Sequence, residues 1–205
     1  MSKSNIQGKY TSSPEFVKTF INKTIQAEGG YVDNKDDSGG ETNFGITYNT
    51  AMKFGYEWVH YNWNGDMQTM PIGFAQDIYA YDYYFRPKIN LVAEVSPLLA
   101  EELFDTGVNT GSKTPIKWIQ RLLNVLNNKG TYYNDIVVDG YLGNATITAY
   151  KGLCDKRGDA IAENVIYNGL NSMQAVHYIE LAEKREKDET FVYGQLLHRV
   201  DYIPF

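Results

Sequence analysis

Apolar positions near the start of the chain recur at helical spacing. Phe16, Val17, Phe20, Ile21 and Ile25 fall on one face. Ser13-Pro14-Glu15 ahead of them reads as an N-cap, a proline at the first helical position and an acid in the first turn. Gly29-Gly30 ends the run, as glycine commonly does. The pattern predicts a helix whose last residue is Glu28. A polar, glycine-rich segment from Tyr31 to Thr47 follows, and it predicts two short strands joined by a tight turn at Gly39-Gly40. Thr47 can cap a helix running through Phe54 and stopped at Gly55. Residues 56–70 are aromatic and irregular, with Trp58, Tyr61 and Trp63. Phe74, Ile78, Tyr81 and Phe85 then predict a helix from Ile72 to Phe85, ended by Pro87, and its aromatic stripe reads as core.

The second half reads as successive helices. Ser96-Pro97 opens one through Leu98, Leu99, Leu103 and Phe104, and Thr114-Pro115 opens another with Ile116, Trp118, Ile119, Leu122, Leu123 and Leu126 inward. A polar loop leads to Val137-Val138-Asp139-Gly140-Tyr141-Leu142-Gly143, whose glycines imply turn geometry. Two further helices are predicted around Ala160–Tyr167 and Ser172–Lys187, and the mixed charges from Glu183 to Glu189 form a solvated face.

A chain of 205 residues can bury one sizeable core, or a domain with a small appendage. No stretch of eighteen apolar residues predicts a membrane span. Lys3 and Lys9 are not followed by the apolar run of a secretory signal. A single cysteine, Cys154, excludes an internal disulfide framework and fits synthesis in a reducing compartment. The net charge of −6 argues against a general nucleic-acid binder. Tyrosine is the compositional oddity at 17 residues, and flat amphipathic rings suit both a core edge and a sugar-binding groove.

Glu28 carries the candidate chemistry. A carboxyl at a helix C-terminus sits at the negative end of the macrodipole. Partial burial there would add to the effect and favour the protonated form, which a general acid needs. Asp36, Asp37 and Glu41 lie in the following segment and could supply the second carboxyl of a glycosidase pair. Other chemistries lack support. His60, His177 and His198 are far apart and lack zinc-ligand spacing. Lys35 and Ser38 break the alternation that a calcium loop requires. No nucleotide-binding glycine motif occurs, so no metal and no cofactor is expected.

The ordered blocks Glu28-Gly29-Gly30-Tyr31, Asp36-Asp37-Ser38-Gly39-Gly40 and Thr42-Asn43-Phe44-Gly45-Ile46-Thr47 closely resemble the phage endolysins and muramidases of glycoside hydrolase family 108. The resemblance implies a mainly α, lysozyme-like α+β fold with a small β-hairpin beside the active-site cleft. Phage lysozymes often space a glutamate, eight residues, an aspartate, five residues and a threonine. Glu28 and Asp37 fit the first interval, while the threonine position falls on Asn43, with Thr42 one residue early and Thr47 four late. Glu28, Asp37 and Thr47 are therefore the implied catalytic residues. Tyr31, Thr42 and Asn43 are implied substrate contacts, joined by Asp105 and Asn109 from a second block, Phe104-Asp105-Thr106-Gly107-Val108-Asn109-Thr110-Gly111. Ile116 to Asn124, with the later V-D-G-Y-L-G, resembles the predicted peptidoglycan-binding region that follows the catalytic block in this family. Phe191 to Val200 is similar to its terminal helix, with Gln195 where tryptophan is usual.

The domain expectation is an N-terminal extension at residues 1–13, a catalytic block at 14–95 and a helical second lobe at 96–205, packed into the same globule. The implied protein is a monomeric endolysin that cleaves the glycan strands of bacterial peptidoglycan. It would be made in the host cytoplasm and need a holin to reach the wall. A lytic transglycosylase and a non-catalytic wall-binding protein are the alternatives.

Overall fold

The computed structural model describes residues 5–33 and 40–204. They divide into two compact units, one ending at Arg86 and the other beginning at Pro87.

In the first unit, helix α1 (Glu15–Glu28) buries Val17, Ile21 and Ile25 and packs on α3 (Ile72–Ala80). Each such side chain taken from water contributes about 1.5–3 kcal/mol. Ser13 is not the cap that its position suggested: its hydroxyl donates to the Lys9 carbonyl at 2.7 Å, and no side chain caps α1. Residues 5–13, which lie outside the family resemblance, are integral to this unit. Ile6 is fully buried. The Asp77 carboxylate accepts the Gly8 amide at 3.0 Å, the Tyr10 amide at 2.6 Å and the Tyr61 hydroxyl at 2.5 Å. Burial pushes the Tyr61 phenol up, and the Asp77 oxygen it donates to adds to that shift.

After α1 comes a three-stranded antiparallel sheet where two strands were expected: β1 (Val32–Asp33), β2 (Glu41–Asn43) and β3 (Ile46–Thr47). Val32 pairs with Thr42, and Asn43 with Ile46. Gly40 has a φ of +64°, while Gly39 lies outside the described residues. Phe44 and Gly45 form the two-residue turn between β2 and β3, with φ of +52° and +74°. Positive φ at both central positions gives the twist that antiparallel strands favour.

Thr47 caps α2 (Tyr48–Lys53), accepting the Thr50 amide at 3.3 Å. The aromatic stretch forms two tight helical turns, Gly55–Tyr61 and Met67–Thr69. The helix expected through Phe85 changes register at Ala80: Tyr81–Phe85 is a π turn, closed by the Arg86 amide on the Tyr81 carbonyl at 2.8 Å.

The second unit is helical: α4 (Ile89–Ala93), α5 (Pro97–Thr110), α6 (Lys113–Leu126), α7 (Asn144–Arg157), α8 (Asp159–Lys184) and α9 (Glu189–Arg199). Helix α8 is its axis, packing on α5, α6, α7 and α9. The two helices expected around Ala160–Tyr167 and Ser172–Lys187 are thus one. The helix runs unbroken through Asn168-Gly169, and Gly169 lies against Leu122 of α6. A Cβ there would approach Leu122 Cδ2 to 2.9 Å. Ser96 caps α5 as expected, accepting the Leu99 amide at 3.0 Å. By contrast α6 starts ahead of Thr114-Pro115, and Thr114 donates to the Thr110 carbonyl at 2.9 Å.

The loop after α6 has little regular structure and is held by two side-chain amides of that helix and a third, Asn127, at its C-terminal cap. Gln120 accepts the Gly140 amide at 2.9 Å and donates to Asp139 at 2.9 Å and to the Tyr141 carbonyl at 3.1 Å. Asn124 exchanges two bonds with the backbone of Ile136, at 2.8 and 2.9 Å. Asn127 donates to Asp135 at 2.5 Å and accepts the Gly130 amide at 2.9 Å. The V-D-G-Y-L-G segment is therefore fixed to α6 through Gln120.

Candidate active site

Glu28 is the last residue of α1 and is exposed. The burial that its expected chemistry invoked is not supplied by the described residues. Instead the fold supplies a close packing contact on one side. A Cβ at Gly45 would lie 2.9 Å from Glu28 Cγ and 2.5 Å from the Tyr79 hydroxyl. Real Cβ atoms do not approach so closely, and the φ of +74° adds a second reason for glycine at position 45. The Tyr79 hydroxyl donates to the Phe44 carbonyl at 3.2 Å, which pins the turn from α3. Burial pushes the Tyr79 phenol up, and the Glu28 charge adds to it.

Tyr83, one turn on, stacks on Tyr79 with ring centroids 5.8 Å apart. Its phenol is raised by burial first, then by the charge of Asp82, with Glu28 adding and Arg86 opposing. Asp82 pairs with Arg86 at 3.1 Å, and burial raises its carboxyl against the pull of Arg86 and Lys53. Tyr79 and Tyr83 therefore share the electrostatic surroundings of Glu28. Both lie in the aromatic helix that reads as core, though not among the stripe residues Phe74, Ile78, Tyr81 and Phe85, and Tyr79 is only 5% exposed. A tyrosine can be core by its ring and site by its hydroxyl.

The other expected residues of this unit are distributed unevenly. Asp36 and Asp37 lie outside the described residues. Glu41 is half-buried and stands opposite Asp33 across the sheet. Asn43 is buried and donates to the Met67 carbonyl at 2.6 Å, so its amide ties β2 to the Met67–Thr69 turn. Thr47 spends its oxygen on the α2 cap and donates to Thr50 Oγ1 at 3.1 Å. Thr42 and Tyr31 are half-buried. Among the described residues no group of three or more His, Cys, Asp or Glu could hold a metal ion.

Residues 21–111 match the Glycosyl hydrolase 108 family, and residues 114–200 match the Predicted Peptidoglycan domain. The glycosyl hydrolase 108 match thus covers the part of the chain that holds Glu28, the sheet and Tyr79. Its fold is similar to a solved structure of Brucella abortus SagA, with a TM-score of 0.52 and 18% identity over 90% of this chain and 96% of that one. No curated protein matches. The protein is a glycoside hydrolase with peptidoglycan as its substrate, built on a mainly α, lysozyme-like fold. No helix among the described residues is long and apolar enough to cross a membrane.

The family 108 region runs beyond Arg86 into α5, so it spans the division between the units. Asp105 and Asn109 lie in that part. Asp105 forms an ion pair with Arg199 of α9, which holds its carboxyl down against a larger rise from burial. Asn109 is exposed and donates to the Asp105 carbonyl at 2.8 Å. The Asp105 side chain is thereby engaged within its own unit, while that of Asn109 keeps a solvent-facing edge.

Proposed function

We propose that this family 108 enzyme is an endolysin-type muramidase, cleaving the β-1,4 bond between N-acetylmuramic acid and N-acetylglucosamine. The observation that carries the reading is Glu28, exposed at the end of α1 and seated against Gly45 and Tyr79. A carboxyl that is open on one side and packed on the other can meet a glycosidic oxygen at a fixed angle. Glu28 donates the proton to the leaving oxygen. Asp37 is the second carboxyl, stabilising oxocarbenium-like charge or activating water. Residues 14–95 form the catalytic block and residues 96–205 the wall-associated lobe. The protein acts as a monomer, accumulates in the cytoplasm of a phage-infected host and reaches the wall through a holin lesion.

Glu28→Gln keeps the size of the side chain and removes its proton. Lysis of chloroform-permeabilised Gram-negative cells should fall at least about a hundredfold, with the melting temperature unchanged. Near wild-type lysis by this variant would sink the assignment. Asp37→Asn should cost more than Asp36→Asn or Glu41→Gln, and equal mild losses at all three would leave Glu28 as the sole essential carboxyl. Mass spectrometry of the products decides the bond chemistry: reducing muramic ends mark hydrolysis, and anhydro-muramic ends mark a lytic transglycosylase.

A further inference from the structure

The sequence of α6 is unusual for this chain. The protein carries 25 acids against 19 Lys and Arg, yet Lys113 to Leu126 contains three cations and no acid. Lys113, Lys117 and Arg121 stand four residues apart, and all three are exposed. Local helix physics opposes this arrangement. Like charges at this spacing repel, and Lys113 occupies the first residue, where the helix dipole disfavours a cation. None of the three forms an ion pair among the described residues. Asp139 is close enough to feel Lys113, but its carboxyl is held low first by the bond from Gln120 and then by the Tyr141 amide.

The loop clamped by Gln120 lays an aromatic ring beside this row. Gly140, at φ +76°, runs so close to α6 that a Cβ would meet Lys113 Cβ at 3.2 Å and Lys117 Cε at 3.3 Å. Tyr141 is thereby placed next to Lys113. The ammonium lies 4.4 Å from the ring centroid and 2.8 Å from the hydroxyl, yet the tyrosine remains 63% exposed. Val138 beside it is also exposed. A solvent-facing row of cations, next to an aromatic ring held in one orientation, suits a ligand that combines anionic groups with a flat, partly apolar face.

We propose that Lys113, Lys117, Arg121 and Tyr141 form a binding site for the carboxylate-bearing peptide stems of peptidoglycan, with the tyrosine ring against the attached sugar. The inference rests on the match of residues 114–200 to a peptidoglycan domain, and it names the place and chemistry of binding there, with Lys113 immediately ahead of the matched region. The row is spaced one helical turn per cation, so successive carboxylates along one stem can be met in order. Binding depends on salt, and the site retains the acidic enzyme on its substrate between cleavages.

The test is co-sedimentation of the full chain with purified Gram-negative sacculi on ice. Three exposed charge contacts of ordinary strength together should weaken binding about tenfold in K113Q/K117Q/R121Q. K151Q/K156Q/K187Q removes the same charge elsewhere in the unit and should bind as wild type. The charge-conserving K113R/K117R/R121K should retain binding, which separates loss of the site from loss of the fold. Tyr141→Ala should weaken binding without altering the salt dependence. Sacculi stripped of stems by an amidase should bind wild type about as weakly as intact sacculi bind the neutralised row. The proposal is overturned if the neutralised row binds intact sacculi normally, if K151Q/K156Q/K187Q loses as much binding as K113Q/K117Q/R121Q, or if stripped glycan binds as well as intact. It is also overturned if duplex DNA or anionic vesicles are bound more tightly than sacculi. A wild-type chain that binds no sacculi at all would overturn the peptidoglycan-binding reading of the domain as well.

Discussion

The turn at Phe44-Gly45 and the loop that follows α6 are both irregular, and they are held in opposite ways. The turn is shaped by an absence. Gly45 leaves room for Glu28 and the Tyr79 hydroxyl, and one bond from Tyr79 to the Phe44 carbonyl closes it. The loop is shaped by presence: Gln120, Asn124 and Asn127 each give both ends of a side-chain amide to it. A segment held by steric fit fails when atoms are added. One held by polar satisfaction fails when atoms are removed. The contrast also separates roles, because the turn borders the candidate acid while the loop presents a surface.

Gly45→Ala is the largest break expected. It adds a methyl group at positive φ into occupied space, so stability should fall by about 3 kcal/mol. Glycan cleavage by the folded fraction should fall about a hundredfold, because Glu28 must move. Tyr79→Phe removes the hydroxyl that the new methyl meets first. Combining it with Gly45→Ala should therefore recover part of the stability, measured by thermal melts across the four-variant cycle. Strict additivity would show that the close approach is not what fixes position 45.

Gln120→Leu tests the opposite case. It leaves the Gly140 amide without its acceptor, at a cost of about 2 kcal/mol in denaturant unfolding. A normal melting temperature for this variant would remove the amide clamp from the account.

The smallest effect sharpens the comparison by asking what happens when the buried polar group carries a charge. Glu102 of α5 is buried and accepts the Thr106 hydroxyl at 3.1 Å. Burial lifts its carboxyl to about 7, with hydrogen bonds from Thr106 and Asn171 opposing the rise and the charges of Asp105 and Asp201 adding to it. The folded value lies above the unfolded one, so its contribution is complete below about pH 4.5 and is lost as the pH rises through about 7. Wild-type stability should decline across that window. Glu102→Gln should flatten the decline and be more stable at pH 8 by about 1 kcal/mol. A variant whose pH profile matched wild type would show that Glu102 is not the group responsible.

Much of this architecture was legible in the sequence, and the failures have physical causes. The end of α1 at Glu28 followed from apolar spacing and two glycines. The third strand was hidden because runs of two or three residues are too short to show alternation. Helix α7 was missed because its buried row is Thr146, Ala149, Tyr150 and Leu153, where polar or small residues take half of the core positions. The apolar spacing picks out Phe74, Ile78, Tyr81 and Phe85 and passes over Tyr79 and Tyr83, because periodicity does not say which ring lies near a carboxyl. The family motif contained Gly45 without revealing its reason, which is a contact between residues distant in the chain. Asn43 stood in the same motif and proved to be a tie within the scaffold.

The Asp77 anchor has a consequence for the order of events during synthesis. The Gly8 and Tyr10 amides reach their acceptor across 69 and 67 residues. On a ribosome these two amides therefore wait for their acceptor while α1, the sheet and the aromatic turns emerge. Their partner arrives with α3, and the same helix brings Tyr79 two residues behind Asp77. Latching of the first residues and closure against Glu28 thus depend on one late-arriving element. A nascent chain halted before α3 has neither Tyr79 against the turn nor the Asp77 acceptor for its Gly8 and Tyr10 amides.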